Sequence, residues 1–232
     1  LIIAPWNYPV HLLLVPLVGA ISSGCTAVLK PSPYVPNVSK VIETMISETF
    51  DAKYIAVAQG NREVNSALLS FKWDLIFFTG SPKLGRVVMI EAAKNLSPVV
   101  LALGGKSPCI VDETADITLS ARRIIWGKLL NAGQTCVAPD YVLAHESIYE
   151  KLIEQMKKYI VGFYGERPLQ DDNYPKIINE KHYERAKGLL SCGKAVIGGV
   201  FDDSTRKIAP TLISEPDLSS PLMTDEIFAP IL

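Results

Sequence analysis

Short β-branched runs alternate with segments of helical period along this chain, and that cadence restricts it to few folds. The apolar runs at residues 1–3 (LII), 26–30 (TAVLK), 54–59 (YIAVAQ), 75–79 (LIFFT) and 98–103 (PVVLAL) are nearly continuous rather than alternating. Strands of this kind are buried on both faces, the state of a parallel sheet covered by helices. Between them, Val38, Val41, Ile42, Met45 and Ile46 recur at the spacing of one helical face. The pattern predicts an α/β protein with a doubly wound parallel sheet, in which ligands bind at the carboxyl ends of the strands.

After Gly105 the cadence restarts, with PCIVD (108–112), a helix over 117–130, YVLAH (141–145), a helix over 148–159 and AVIGG (195–199). Residues 162–175 are polar and interrupted by prolines, which reads as a surface loop. Two domains are therefore expected, 1–104 and 105–232, the second also α/β. A chain of 232 residues with 48% apolar residues can bury one large core or two modest ones.

The balance of 23 basic and 24 acidic residues gives a formal net charge of −1. No overall field draws such a molecule to nucleic acid or to a membrane, so a small neutral or singly charged substrate fits better. The most apolar stretch, residues 10–22, contains Pro16 and Gly19 and falls short of the roughly 20 residues of a membrane-spanning helix, so it reads as a buried, kinked helix. No basic segment precedes it, and a secretory leader is not expected. Cys25, Cys109, Cys136 and Cys192 form no CxxC pair and the three histidines are scattered. No metal site is expected, and reduced thiols in a cytoplasmic protein are the default. The chain begins with Leu1 inside an apolar run and stops on FAPIL, the expectation for a piece of a longer protein.

Several strand ends carry residues with two readings each. In FFTGSPKLG, Gly80 and Ser81 open a helix at Pro82; they either cap it or present amides to a phosphate. In VLKPSP, Lys30 is a solvated strand end or a donor to ribose or phosphate. In APWNYP, Asn7 caps the next helix or donates to an oxyanion. Cys136 in NAGQTCVAP is a small hydrophobe or a nucleophile. The pair Gly104–Gly105 in LALGGK is a crossover between lobes or a place where a ligand comes close. In TDEIFAPIL, Glu226 is a solvated carboxylate and Phe228 a core residue unless a site claims them.

Taken in order, PWNYP, LKPSP, FTGSPKLG, LGGKSP, GQTCVAPDYV and DEIFAPIL resemble the aldehyde dehydrogenase superfamily, most closely its class 3 branch. The resemblance runs from residue 4 to residue 232. It implies a nicotinamide-nucleotide domain followed by a catalytic domain, NAD or NADP as cofactor, an aldehyde as substrate, and a homo-oligomer, specifically a dimer. Cys136 matches the nucleophile, and Asn7 with the Cys136 amide matches the oxyanion hole. Trp6 would line the cleft, Lys30 would contact the adenosine ribose, and Gly80, Ser81 and Gly85 the pyrophosphate. Gly104 would pass beside the nicotinamide, and Glu226 and Phe228 would meet its ribose.

One departure matters for chemistry. Ala102 stands where family members carry a general-base glutamate, and an alanine moves no proton. Three accounts stay open: an introduced substitution that traps an intermediate, a second carboxylate such as Glu226 acting instead, or transfer of the acyl group to a thiol such as coenzyme A. An inactive nucleotide-binding homologue is the rival from outside enzymology. Pro33 stands where NAD-selective relatives carry a carboxylate that repels a 2′-phosphate, which leaves NADP admissible. Ala229 replaces a commoner glycine.

Overall fold

A computed structural model describes all 232 residues, which divide into two compact units, Leu1–Gly104 and Gly105–Leu232. In the first unit, strands β1 (Ile2–Ile3), β2 (Ala27–Lys30), β3 (Ile55–Val57), β4 (Ile76–Gly80) and β5 (Val99–Leu103) form one sheet in the order β3-β2-β1-β4-β5. Every pairing is parallel. Helices α1 (His11–Ser22), α2 (Pro36–Thr49), α3 (Arg62–Ser70) and α4 (Pro82–Lys94) are the crossovers.

The two-residue period of a strand sorts the side chains between faces. Ile2 and Ala4 join Leu29, Leu13, Leu17, Ile42 and Ile46 in one core, which α1 and α2 cover. Leu1 and Ile3 join Ile76, Phe78, Leu69, Val88 and Ala92 in the other, covered by α3 and α4. The sheet is thus doubly wound, and the direction of winding reverses between β1 and β4.

Two helical expectations change. Helix α1 is half-buried rather than buried: Leu13 and Leu17 meet the sheet while Val15 and Val18 are exposed. A helix lying on a sheet has one face to bury, and residues four apart take it. In α2 the inner face is Ser39, Ile42 and Ile46, with Val41 and Met45 outside. Ser39 earns the inner place because its hydroxyl donates to the Ser32 carbonyl at 2.9 Å.

The second unit is less regular. Strands β6 (Pro108–Val111) and β7 (Tyr141–Ala144) pair in parallel, and α5 (Ile117–Leu129) and α6 (Tyr149–Tyr164) pack with them around Val111, Ile125, Leu152 and Met156. Helix α6 runs five residues past its expected end, so the irregular segment starts at Gly165, a left-handed residue that closes the helix. Next come α7 (Glu180–Leu189), strands β8 (Lys194–Ile197), β9 (Phe201–Asp202), β10 (Lys207–Ile208) and β11 (Leu212–Ser214), and the short α8 (Pro221–Thr224). Pairs β8–β11 and β9–β10 are antiparallel. A second core gathers Ile177, Tyr183, Ile208, Leu222 and Ile231. No helix is long and apolar enough to cross a membrane.

Candidate active site

In a doubly wound sheet the crevice for ligands opens where the winding reverses, beyond the carboxyl ends of the two strands that flank the reversal. Here those ends lead into Ala4–Asn7 after β1 and into Gly80–Ser81 within and after β4. Trp6 and Asn7 are half-buried. Helix α1 follows Val10, which makes no side-chain cap.

At the start of α4, Ser81 does cap: its hydroxyl accepts from the Leu84 amide at 3.3 Å. Pro82 has no N–H, and the Gly85 amide bonds back to the Ser81 carbonyl at 2.9 Å, which leaves the Lys83 amide of the first turn for an anion. A side chain on Gly80 would meet the Phe78 ring at 2.6 Å, and one on Gly85 would meet Leu103 at 2.9 Å. Gly85 therefore lets α4 close onto β5, the packing role of a glycine in a nucleotide-binding turn.

Lys30 ends β2 and is 1% exposed. Its ammonium makes one hydrogen bond, to the Pro31 carbonyl at 2.7 Å, and burial lowers its pKa. An ammonium has three donors. A buried cation with donors to spare at the edge of a nucleotide-binding sheet suits ribose hydroxyls or phosphate, and a solvated strand end is ruled out. These features fit a dinucleotide: a free amide at a helix start, glycines that remove obstruction, and Lys30.

On the edge strand β5, Ala102 pairs in register with Thr79 and is exposed. Gly104 is half-buried and Gly105 exposed. A side chain on Gly105 would meet nothing within 4 Å. Close approach does not explain that glycine; its amide lies near enough to Glu226 to favour the ionised carboxylate.

Three consecutive left-handed residues end α5 in the second unit: Asn131 (φ 52°), Ala132 (φ 51°) and Gly133 (φ 73°). For Asn131 and Ala132 this region is costly, roughly 1–2 kcal/mol each. Packing holds the turn: a Cβ on Gly133 would lie 2.1 Å from the Ala229 carbonyl oxygen. Gln134, buried, donates from Nε2 to the carbonyls of Asn131 (3.1 Å) and Lys176 (3.3 Å), and its Oε1 accepts from the Ile178 amide at 3.0 Å. The turn delivers Cys136 half-buried, just before the exposed Val137. Phe228, half-buried and also left-handed (φ 50°), adjoins the Ala229 backbone on which Gly133 sits. The cysteine turn and the EIFAP segment are therefore packed together.

Behind them lies a charged framework that motif reading missed. Lys128 on α5 and Asp140 are both buried, with Nζ to Oδ1 at 3.4 Å. Asp140 Oδ1 also accepts from the Ile227 amide at 3.2 Å, and Oδ2 accepts from the Ser107 amide at 3.2 Å. Burial lowers the Lys128 pKa to about 8, with Asp140 opposing the shift. Lys106 donates to the carbonyls of Leu222 and Asp225, the latter at 2.8 Å. Arg185 donates to the carbonyls of Glu226 (3.1 Å) and Ile227.

Glu226 is not an ordinary solvated carboxylate. Its Oε1 is buried with no hydrogen-bond partner. Burial first, then the charge of Asp140, raises its pKa to about 6 against the opposing pull of Arg185, Lys128 and the Gly105 amide. A carboxyl poised near neutrality with a vacant oxygen suits contact with a polar ligand or a proton transfer.

The aldehyde dehydrogenase family model matches residues 1–232. The mouse (Mus musculus) protein named aldehyde dehydrogenase family 3 member B2 is 48% identical over 232 residues, 100% of this chain and 48% of the relative. The rat (Rattus norvegicus) protein named aldehyde dehydrogenase, dimeric NADP-preferring, is 44% identical over 100% of this chain and 51% of its own length. A structure described as the substrate-bound state of Staphylococcus aureus AldH superposes with a TM-score of 0.94 at 48% identity, over 99% of this chain and 51% of the other. The chain thus spans about half the length of the relatives it matches.

Proposed function

The chain belongs to the aldehyde dehydrogenase family, and from that premise we propose that it carries the cofactor and nucleophile machinery of an enzyme oxidising an aldehyde to a carboxylic acid. The proposed cofactor, NAD or NADP, supplies the hydride acceptor when bound. Lys30, Ser81, the Lys83 amide and Gly85 form its binding edge in the first unit, and Trp6 stands at the same strand ends.

The Cys136 thiolate adds to the aldehyde carbonyl, forming a C–S bond and an oxyanion. The backbone amide of Cys136 donates to that oxygen, a contact worth about a hundredfold to a thousandfold in rate. Loss of hydride from the thiohemiacetal carbon gives a thioester. Water then cleaves the thioester, releasing acid and thiol. Ala102 supplies no base for that last step, and a positioned base is worth about 10²–10⁴-fold. The substrate reading is a small aldehyde, the state of the thiols is reduced, and a cytoplasmic compartment maintains that state.

The observation that carries this reading is the left-handed turn at Asn131–Gly133, seated on the Ala229 backbone, which fixes Cys136 half-buried at a loop instead of in a core. Rapid mixing with NAD or NADP and an aromatic or medium-chain aldehyde tests it through nicotinamide absorbance. One equivalent of reduced cofactor is expected in a burst followed by slow turnover, with the burst lost in Cys136→Ser. Ala102→Glu is expected to raise the slow phase about 10²–10⁴-fold. An intact fold with no burst overturns the reading and favours the inactive homologue. Continuous turnover only on adding coenzyme A replaces hydrolysis with acyl transfer to a thiol.

A further inference from the structure

Main-chain groups around Glu226 are bonded to charged side chains instead of to one another. Residues 225–227 lie in no helix or strand, so no ladder satisfies their polar groups and partners must come from elsewhere. The Asp225 carbonyl accepts from Lys106 at 2.8 Å, the Glu226 carbonyl from Arg185 Nη1 at 3.1 Å, and the Ile227 carbonyl from Arg185 Nη2. The Ile227 amide donates to Asp140 Oδ1 at 3.2 Å. The place of Glu226 is therefore decided by three side chains, drawn from the crossover after β5, the residue before β7 and helix α7.

Arg185 differs from the other two. Asp140 also holds Lys128, and Lys106 also reaches the Leu222 carbonyl. Arg185 is an exposed residue of α7, whose buried face is Tyr183, Ala186 and Leu189. A long cationic side chain at such a position normally lays its stem on the protein and keeps its head in water. Here the head turns inward: burial lowers the guanidinium pKa, against the opposing charges of Glu226, Asp225 and Asp140. Its planar fork fits two adjacent carbonyls in one fixed geometry, whereas an ammonium is a point charge on a flexible stem. Holding those carbonyls fixes the peptide that follows Glu226, and with it the carboxyl whose Oε1 is buried and unpaired. The guanidinium, Lys128 and the Gly105 amide favour the ionised carboxylate, while Asp140 opposes it; Lys106 and Asp225 complete the charged surroundings.

We propose that Arg185 is a positioning residue for the oxidation and acts through Glu226, its fork on the carbonyls of residues 226 and 227 holding that carboxyl in its working place. The inference rests on the aldehyde-oxidising reading and adds a residue which that reading does not use.

A double-variant cycle with NAD and benzaldehyde tests it, read on whichever phase, burst or steady, Glu226→Gln slows. Arg185→Lys keeps the charge and loses the fork. It is expected to slow that phase by up to about a hundredfold, the scale of a misplacement of about 1 Å, at an unchanged thermal midpoint. Arg185→Met is expected to slow it at least as far. It should also raise the titration midpoint of Glu226 above the wild-type value of about 6, followed by carbon NMR of labelled glutamate side chains and assigned by the signal lost in Glu226→Gln. In a Glu226→Gln background Arg185→Met should cost nothing further, because the group it acts through is gone, whereas a purely structural part would cost the same in both backgrounds.

Equal losses in the two backgrounds overturn the proposal. So do wild-type rates in Arg185→Lys, a Glu226→Gln variant slowed in neither phase, an unmoved titration in Arg185→Met, or an Arg185→Met chain that unfolds. A wild type without the Cys136-dependent burst is a separate failure, that of the aldehyde-oxidising reading. The Glu226 titration needs no substrate, and still decides whether Arg185 governs this carboxyl.

Discussion

Lys30 in the first unit and Lys128 in the second are the most deeply buried lysines, 1% and 0% exposed, and the two are held in opposite ways. Lys30 in the first unit has a single carbonyl, that of Pro31, within reach of its ammonium. Lys128 in the second faces a buried carboxylate, Asp140, which is itself bound by two backbone amides. Desolvation lowers the pKa of both. Removing an ion from water costs several kcal/mol and is offset only where a partner and further hydrogen bonds exist. The second unit contains that offset, whereas the first leaves Lys30 short of acceptors. The difference separates a framework charge, complete within the chain, from a binding charge that an outside acceptor completes.

Removing Asp140 strains this distinction most. Asp140→Ala strands the Lys128 ammonium and leaves the Ser107 and Ile227 amides without their acceptor. Breaking a buried pair from one side costs about 3–5 kcal/mol, so hydrogen exchange in β6 and β7 should accelerate correspondingly and the urea midpoint of this unit should fall. The double variant Lys128→Met with Asp140→Leu should recover part of that loss. A single-variant cost below about 1 kcal/mol would mean that solvent reaches Lys128 and that the pair is no framework.

The converse substitution is Lys30→Met. It removes a buried charge that has no carboxylate partner and preserves the volume of the stem, so stability should hold or rise. Affinity for NAD or NADP should fall by about 1.5–3 kcal/mol, the range for a hydrogen bond to a charged group, roughly tenfold to a hundredfold in Kd. Calorimetric titration beside thermal unfolding measures both. Loss of stability together with unchanged affinity would make the two lysines alike.

The same contrast explains what could be read from the sequence. Strands of the first unit are apolar on both faces, and each begins and ends within two residues of the run that announced it. Their carboxyl ends follow from connectivity, so Asn7, Lys30 and Gly80 could be placed at a sheet edge before any coordinates. In the second unit the framework is made of Lys106, Arg185 and Gln134 bonding to main-chain carbonyls. A carbonyl belongs to every residue, so such bonds leave no pattern of residue types. Lys128 did leave one. Ala121, Ile124 and Ile125 define the buried stripe of α5, and Lys128 occupies its next position, seven after Ala121. A lysine on an apolar stripe requires a buried partner. The carboxylate twelve residues on, in GQTCVAPDYV, is that partner. The left-handed Asn131 and Ala132 were not legible, because packing of Gly133 on Ala229 forces a conformation that neither residue prefers.

Glu226 gives the smallest effect and the finest test, because it adjoins the framework yet keeps one oxygen unpaired. Its pKa in the fold is about 6 against 4.5 for a free side chain, so between those values the folded chain holds a proton that the unfolded chain has released. Stability from this group is complete below pH 4.5 and is lost as pH rises through 6. The full shift would correspond to about 2 kcal/mol, and solvent at the half-buried carboxyl reduces that to about 1 kcal/mol. In Glu226→Gln this slope should vanish, so the difference in unfolding free energy between wild type and variant should change by that amount across pH 4.5 to 6. The aspartates with lowered pKa, among them Asp202 and Asp203, act in the opposite sense below 3.8 and cancel in the difference. Asp140 is the second cause of the raised value, after burial. Placing Asp140→Asn in the same comparison should move the step toward lower pH. If the step stays where it is, the carboxylate that holds Lys128 does not reach Glu226, and the framework and the site are separate structures that share a unit.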